Sequence, residues 1–339
     1  MIHQYGATAN VLKMEEIEPP AIRGDEVLIR QFATSVNPID CRMRTGYGRV
    51  IFSRKRGFEL PLVLGRDVSG EVVKVGAAVK TLSVGDAVYG VPATKAQGAY
   101  AELVVAKANE VVPKPQSLTF TQAASLPYVG CTVWEALVTK AGLSAETAAG
   151  KRVFVQGGAG GIGSIAIQVL KAWGAYVATT CNKAQMSSVA KLGADLIVDY
   201  EKDDYALKLS DFDVALETIG GALEAKTLGI LRTDGTSKFV TLSHPILQTF
   251  DQSGIVLGAL KNIWQFSKNR RRAKRQGVGG YSWALFKPSA EALNAIRGLV
   301  DGGRLFPHID REFALSDMVQ AHQYCEQGKS NGKVIIRIQ

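Results

Sequence analysis

The chain has 339 residues, 46% of them apolar and 21% charged, which suggests two domains or one large one and excludes a chain disordered as a whole. Its four cysteines, Cys41, Cys131, Cys181 and Cys325, lie far apart with no C-x-x-C pair. That argues against a disulfide framework and against a clustered structural zinc site, and a reducing compartment is the natural reading. The net charge of +9, from 40 basic and 31 acidic residues, favours anionic ligands or surfaces without naming one.

No apolar run reaches the roughly 18 residues that a membrane-spanning helix needs. The opening MIHQYGATANVLKMEE has neither an apolar signal core nor an Arg-rich amphipathic pattern, so no transit or signal peptide is expected within it. Residues 22–120 read as all-β. EVLIRQFATSV (26–36), VSGEVVKVG (68–76), DAVYGV (86–91) and AYAELVVAK (99–107) are short Val-rich runs between Gly and Pro punctuation, a compact barrel-like pattern. From about residue 125 the pattern changes. Strands are predicted at 151–158, 175–181, 195–200, 212–220, 237–243 and 281–287, with helices at 164–174 and 186–193 between the first three. Strands alternating with helices indicate βαβ units and a parallel sheet covered on both faces. The tail carries a helix at 289–303 and a last β run at 333–339.

The decisive motif is VFVQGGAGGIGSIAIQVLKAWG, a strand, then a glycine loop, then a helix. Gly158, Gly160 and Gly163 form G-x-G-x-x-G, with Ala159, Gly161 and Ile162 between them. Such glycines permit a tight turn and let backbone approach a pyrophosphate, whose charge the helix N-terminus stabilises. The surrounding strands make dinucleotide binding the expected role, against a purely structural turn.

Which dinucleotide follows from an absence. An NAD site usually places an acid about 20 residues on, to accept from the ribose hydroxyls. From Gly158 to Ala194 there is no Asp or Glu. The second strand ends Cys181-Asn182-Lys183; Asn182 can donate to a 2′-phosphate and Lys183 can neutralise it, and Tyr200 can cover the adenine ribose. NADPH is therefore expected over NADH, with a merely solvated Lys183 as the plain alternative. In open α/β sheets ligands sit at the carboxyl ends of strands, which adds Thr218, Leu242 and Phe286 as candidate cofactor contacts or packing residues.

The order of a β-domain, a dinucleotide fold and a return to the first domain, together with ATSVNPIDCRMRTGYG (33–48), LPLVLGRDVSGEVVKVG (60–76), GDAVYG (85–90), TQAASLPYVGCTVWEAL (121–137), KLGADLIVDY (191–200) and SNGKVIIRI (330–338), resembles the medium-chain dehydrogenase/reductase superfamily, in its zinc-free quinone oxidoreductase branch. The likeness spans nearly the whole chain. It is strongest to mitochondrial members of that branch, linked to ubiquinone synthesis, and it implies a matrix location. It implies an α/β fold: a GroES-like β-rich catalytic domain from residues 1–125 and 289–339, plus a Rossmann doubly wound parallel sheet domain from 126–288.

Where zinc enzymes of that superfamily carry Cys and His ligands, this chain shows Asn37 and Arg66, and Gly65-Arg66-Asp67 replaces G-H-E. Arginine cannot ligate zinc and Asn is a poor ligand, so no metal is expected. Cys41 and Cys131 fall at no matching position and read as small buried hydrophobes. The related enoyl thioester reductases use a tyrosine in G-x-Y-G as donor to the developing oxyanion. Thr45-Gly46-Tyr47-Gly48 is one residue shorter, so Tyr47 is either a proton donor or a pocket tyrosine. Asn37 is expected to orient the nicotinamide carboxamide or the acceptor carbonyl. Asp40 and Arg44 read as a structural ion pair. Lys329-Ser330-Asn331-Gly332-Lys333 resembles an N-x-G-K segment that touches cofactor in related double-bond reductases, which makes Ser330 and Asn331 candidates.

Three functions stay open on the sequence: an NADPH-dependent quinone reductase, an NADPH-dependent enoyl or enone C=C reductase, and a non-catalytic NADPH-binding interaction protein. The partners expected are a quinone-like or enone small molecule, with a homodimer left open. The basic segment 258–277, with Ile263, Trp264 and Phe266 among its cations, reads as a solvated helix face or as a contact with anionic membrane. No nucleic-acid motif is present.

Overall fold

The computed structural model describes residues 1–52, 59–92 and 98–338. Its strands in chain order are β1 (Glu26–Val36), β2 (Val68–Val75), β3 (Ala87–Gly90), β4 (Leu103–Lys107), β5 (Val111–Pro113), β6 (Arg152–Val155), β7 (Tyr176–Cys181), β8 (Leu196–Asp199), β9 (Val214–Glu217), β10 (Lys238–Thr241), β11 (Gly280–Trp283), β12 (Ile309–Ala314) and β13 (Lys333–Arg337). They form two sheets, as the pattern change near residue 125 requires.

The first sheet has seven strands in the order β12-β13-β1-β2-β3-β5, with β4 also paired to β1. The chain therefore leaves this sheet after β5 and returns to it with β12 and β13. The return is antiparallel to β1, with Val36 opposite Val334. The second sheet is parallel, in the order β11-β10-β9-β6-β7-β8. The strand order reverses between β6 and β9, which is where open sheets of this kind leave a ligand crevice at the carboxyl ends. Val153, Phe154 and Val155 of β6 are fully buried. A strand buried on both faces must read as a continuous apolar run, and VFV does.

Several expectations need correction. Residues 22–120 are not all-β: helices Pro38–Arg44 and Arg49–Phe52 interrupt them. Pro38 sits at the first helical position, where its missing N–H is no loss, and the Asn37 backbone N–H donates to Asp40 Oδ2 at 2.8 Å. The sixth parallel strand stops at Trp283; Ala284 still donates to Thr241, but the chain then departs toward Pro288. Strand β12 and helix Met318–Glu326 were not anticipated. Gln339, placed in the last β run, lies outside the described residues. Helix Ala290–Asp301 sends Leu293 and Ile296 into the same core as Val153 and Leu170, so its apolar face serves the parallel sheet as well as the junction.

Candidate active site

The glycine loop follows β6. Gly157 has φ +71°, a left-handed conformation that favours glycine. Its N–H donates to Thr180 Oγ1 at 3.1 Å, and the Gly158 N–H donates to the Thr180 carbonyl at 2.9 Å. A Cβ on Gly158 would lie 2.4 Å from Thr179 Oγ1, and one on Gly163 would lie 2.2 Å from the Gly157 carbonyl. These two glycines are thus demanded by close packing of loop, strand and helix. Helix Gly161–Ala172 begins after Gly160, which has no side chain to cap it. The first-turn amides are left open to an anion, and the helix dipole favours one there.

A cavity of about 660 Å³ opens in front of this loop. Ala159, Gly160, Gly161, Ile162 and Gly163 line it, as do Asn182, Tyr200, Thr218 and Ser330. Asn182 Oδ1 accepts from the Gln185 N–H at 3.1 Å, which holds the side chain at the end of β7. Tyr200 is 54% exposed at the end of β8. Thr218 Oγ1 donates to the Gln156 carbonyl at 2.9 Å.

Other expected residues stand back from the wall. Gly158 is packed behind it, and Lys183 is exposed beside Asn182. Leu242 packs against the parallel-sheet core. Phe286 stacks on Tyr128 with ring centroids 4.4 Å apart, and Tyr128 does line the cavity. Asn331 Oδ1 accepts from Ser188 Oγ at 3.0 Å and lies 3.3 Å from His308 Nε2, so its side chain ties the C-terminal segment to the sheet domain. Tyr47 is half-buried with the Arg42 guanidinium 3.9 Å from its ring centroid, and burial raises its hydroxyl pKa above the usual value.

A buried polar network closes the cavity beside the glycine loop. Lys333 Nζ donates to Asn37 Oδ1 and lies 3.6 Å from Asp67 Oδ2. Asn37 Nδ2 donates to the same Asp67 oxygen at 2.8 Å, and Ser35 Oγ donates to it too. The other Asp67 oxygen accepts the Tyr128 N–H at 2.6 Å. Asn37, Asp67 and Lys333 are all buried, and a Cβ on Gly161 would touch the Lys333 stem at 2.8 Å. Asn37, Tyr128 and Lys333 all reach the cavity wall. Asn37 was legible in the sequence, while the meeting of Asp67, Tyr128 and Lys333 was not; the available signal was an acid just before β2 and a lysine at the start of β13.

Asp40 is fully buried nearby, and burial raises its carboxyl pKa to about 6 against the pull of Arg66. The expected Asp40–Arg44 ion pair does not form. Arg44 NH2 pairs with Glu326 Oε1 at 2.5 Å, and Asp40 Oδ1 has no hydrogen-bond partner among the described residues. Both residues lie on one helix, but Arg44 turns toward helix Met318–Glu326, where an exposed carboxylate and the His322 ring await it.

A dinucleotide fits this cradle. An uncapped helix N-terminus faces a cavity whose walls near Asn182 and Tyr200 carry polar groups for a ribose and its phosphate. Zinc does not fit. Asn37 is spent on Lys333 and Asp67, both Asp67 oxygens are taken, and Arg66 offers only cationic donors, one of them to Met43 Sδ at 3.2 Å.

Known proteins agree with this architecture. Residues 23–116 match the alcohol dehydrogenase GroES-like domain family, and residues 192–336 match a family described as zinc-binding dehydrogenase. The chain is 40% identical to "NAD(P)H oxidoreductase RTN4IP1, mitochondrial" of Danio rerio, over 93% of this chain and 84% of that protein. It is 32% identical to "2-methylene-furan-3-one reductase" of Solanum lycopersicum, over 98% of this chain and 76% of that protein. The solved quinone oxidoreductase from Coxiella burnetii superposes with a TM-score of 0.83 at 30% identity, covering 100% of this chain and 98% of that one.

Proposed function

Since this chain belongs to the medium-chain dehydrogenase/reductase superfamily, and as such is an NAD(P)H-dependent oxidoreductase, we propose that it reduces a quinone or quinone-like acceptor with NADPH and without a metal. The observation that carries this is one cavity whose wall joins the open helix N-terminus to the buried Lys333–Asn37–Asp67 network.

When bound, the nicotinamide supplies hydride. The chain does the rest. First-turn amides of helix Gly161–Ala172 would hold phosphate charge, and Asn182, with Lys183 beside it, would meet a 2′-phosphate. The segment from Gly158 to Ala194 carries no acid to repel it; the acid on this wall is Glu201, beside Tyr200. At the other side Asn37 and Lys333 reach the cavity wall where the reacting atoms would lie, Asn37 holding the Lys333 ammonium in place. Lys333 carries three donors; one goes to Asn37 and one faces Asp67. The remaining donor is available to negative charge developing on an acceptor oxygen, inside a site where such charge is poorly screened. Thr218 and Ser330 complete the cofactor wall, and Tyr47 is the further candidate for the acceptor side.

A second reading is an enone C=C reductase, favoured by the likeness to the tomato furanone reductase. The same donors would then face an enolate oxygen. A non-catalytic NADPH-binding role is the third. We place the protein in the mitochondrion, on the matrix side, on its likeness to the mitochondrial oxidoreductase of Danio rerio. A link to ubiquinone synthesis, a homodimer, a peripheral contact with anionic membrane through 258–277, and the domain division at 125/126 and 288/289 belong to the same proposal.

Steady-state assays with a short-chain quinone and a 2-enoyl thioester, each with NADPH and NADH, test it. Turnover of the quinone with NADPH, unchanged after dialysis against a chelator, is expected. Turnover of the thioester alone favours the second reading, and tight NADPH binding with neither turned over favours the third.

A further inference from the structure

Helix Ile246–Arg275 is broken at Gly254, whose φ 68° and ψ −176° leave the helical region. Beyond the break, Val256, Leu257, Leu260, Ile263 and Trp264 are each between 60% and 74% exposed. Their spacing puts them on one stripe of a 3.6-residue helix. Gly258, Asn262 and Ala273 are the buried residues of this helix, and they lie on the opposite face. Phe266 belongs to the packed side too: its ring meets Tyr281 and Trp283, so unlike Ile263 and Trp264 it is not part of the outward face. The helix is anchored by that ring and by small and polar residues, and still turns five large apolar side chains outward.

Charge follows the same face. From residue 252 through 290 the chain has no Asp or Glu. Lys268, Arg270, Arg271, Lys274 and Arg275 are exposed and continue along the stripe, and Lys268 Nζ sits 5.1 Å from the Trp264 ring centroid. Lys268, Arg272 and Arg275 also line a groove of about 650 Å³ beside it, with Glu224 on the far wall. Among the described residues no helix is long and apolar enough to cross a membrane.

We propose that this outward face is a docking surface for an anionic lipid bilayer, the stripe 256–264 entering the headgroup layer and the cations of 268–275 resting on lipid phosphates. A helix that is apolar, then basic, along one face, with an aromatic at the change, matches such an interface in both polarity and sign. A second copy of this chain does not match it, since the same face would bring like charges together. The assignment deepens the membrane contact of the proposed function and rests on it.

Flotation of the full chain with mixed phosphatidylcholine–phosphatidylglycerol vesicles tests it. Binding is expected to the mixed vesicles and not to phosphatidylcholine alone, with a blue shift of emission that Trp264→Phe removes. Leu260→Asp with Ile263→Asp should abolish binding. Arg270→Glu with Arg271→Glu should weaken it by at least about tenfold, each lost cation being worth roughly fivefold. Circular dichroism and NADPH binding check that the variants fold. No flotation, flotation indifferent to these changes, or a dimer that Leu260→Asp with Ile263→Asp dissociates, would each overturn the proposal. Short-chain quinone turnover in solution separates the two readings: turnover without flotation leaves the function standing, and flotation without turnover leaves the surface standing.

Discussion

Lys333 and Asn37 are 296 positions apart in the chain, yet the Lys333 ammonium donates directly to the Asn37 side-chain oxygen. The contact exists because β13 returns antiparallel to β1, with Val334 opposite Val36, so that the residues flanking that pair meet at the sheet's end. Asp67 answers the ammonium from β2's approach, and all three are buried. A buried charge pair of this kind is costly to break from one side.

Lys333→Met leaves Asp67 without its cation and Asn37 Oδ1 without its donor. It should cost about 3–5 kcal/mol in chemical denaturation. Lys333→Gln keeps one donor and should cost less. In that variant kcat for the quinone should fall at least about tenfold while NADPH affinity changes little, because the lost charge is the one proposed to face the acceptor. Wild-type kcat in Lys333→Gln would confine Lys333 to holding the fold.

Asn182→Asp places a carboxylate where the 2′-phosphate is proposed to lie. NADPH affinity should drop by about tenfold or more while NADH affinity is kept or improved. Isothermal titration with both cofactors measures it. Equal affinities in the unmodified protein would remove the argument drawn from the missing acid.

Tyr47→Phe removes one hydroxyl. The ring is engaged by Arg42 and the residue stands outside the cavity wall, so kcat is expected to hold within about threefold. A loss of about 10²-fold on either acceptor would instead put the hydroxyl on the developing oxyanion. A tyrosine hydroxyl, its ordinary pKa of 10.0 raised further here by burial, is protonated at neutral pH and has a proton to give.

Asp40 gives a pH signature. Its folded pKa of about 6 lies above its ordinary 3.8, so the folded state holds the proton more tightly than the unfolded chain. The associated stability is present below pH 3.8 and is lost as pH rises through about 6. Asp40→Asn should therefore gain on the wild type across that window and hold a constant advantage above it, on the order of 1–3 kcal/mol. His322 acts the other way. Burial, then Arg44, lowers its pKa to about 3 from 6.5, so the neutral ring supports the fold above pH 6.5 and that support is lost as pH falls toward 3. Thermal melts of wild type, Asp40→Asn and His322→Gln from pH 4 to 8 separate the two.

Much of this molecule was legible in its amino-acid order. A glycine loop between an apolar strand and an apolar helix has local causes, namely a left-handed Gly157 and packing that admits no Cβ at Gly158 or Gly163. The parallel strands announced themselves because burial on both faces forces continuous apolar runs. The unsuitability of Asn37 and Arg66 as zinc ligands is a property of their side chains alone.

What only the tertiary structure decided was which distant residues meet. Helix Pro38–Arg44 was hidden inside a β-rich stretch because a seven-residue helix has too few turns to show a period. Arg44 chose Glu326 over Asp40 because the helix of 318–326 docks against it, 282 positions away. Phe286 lies late in a predicted strand, yet its ring went to Tyr128 and not to the cavity. Lys333 read as one lysine in a short polar turn, and became a buried cation at the site only when β13 closed on β1. Local sequence sets backbone conformation and burial pattern through short-range sterics and hydrophobic period. The pairing of charges across the chain is set by strand order and register, which no local pattern contains.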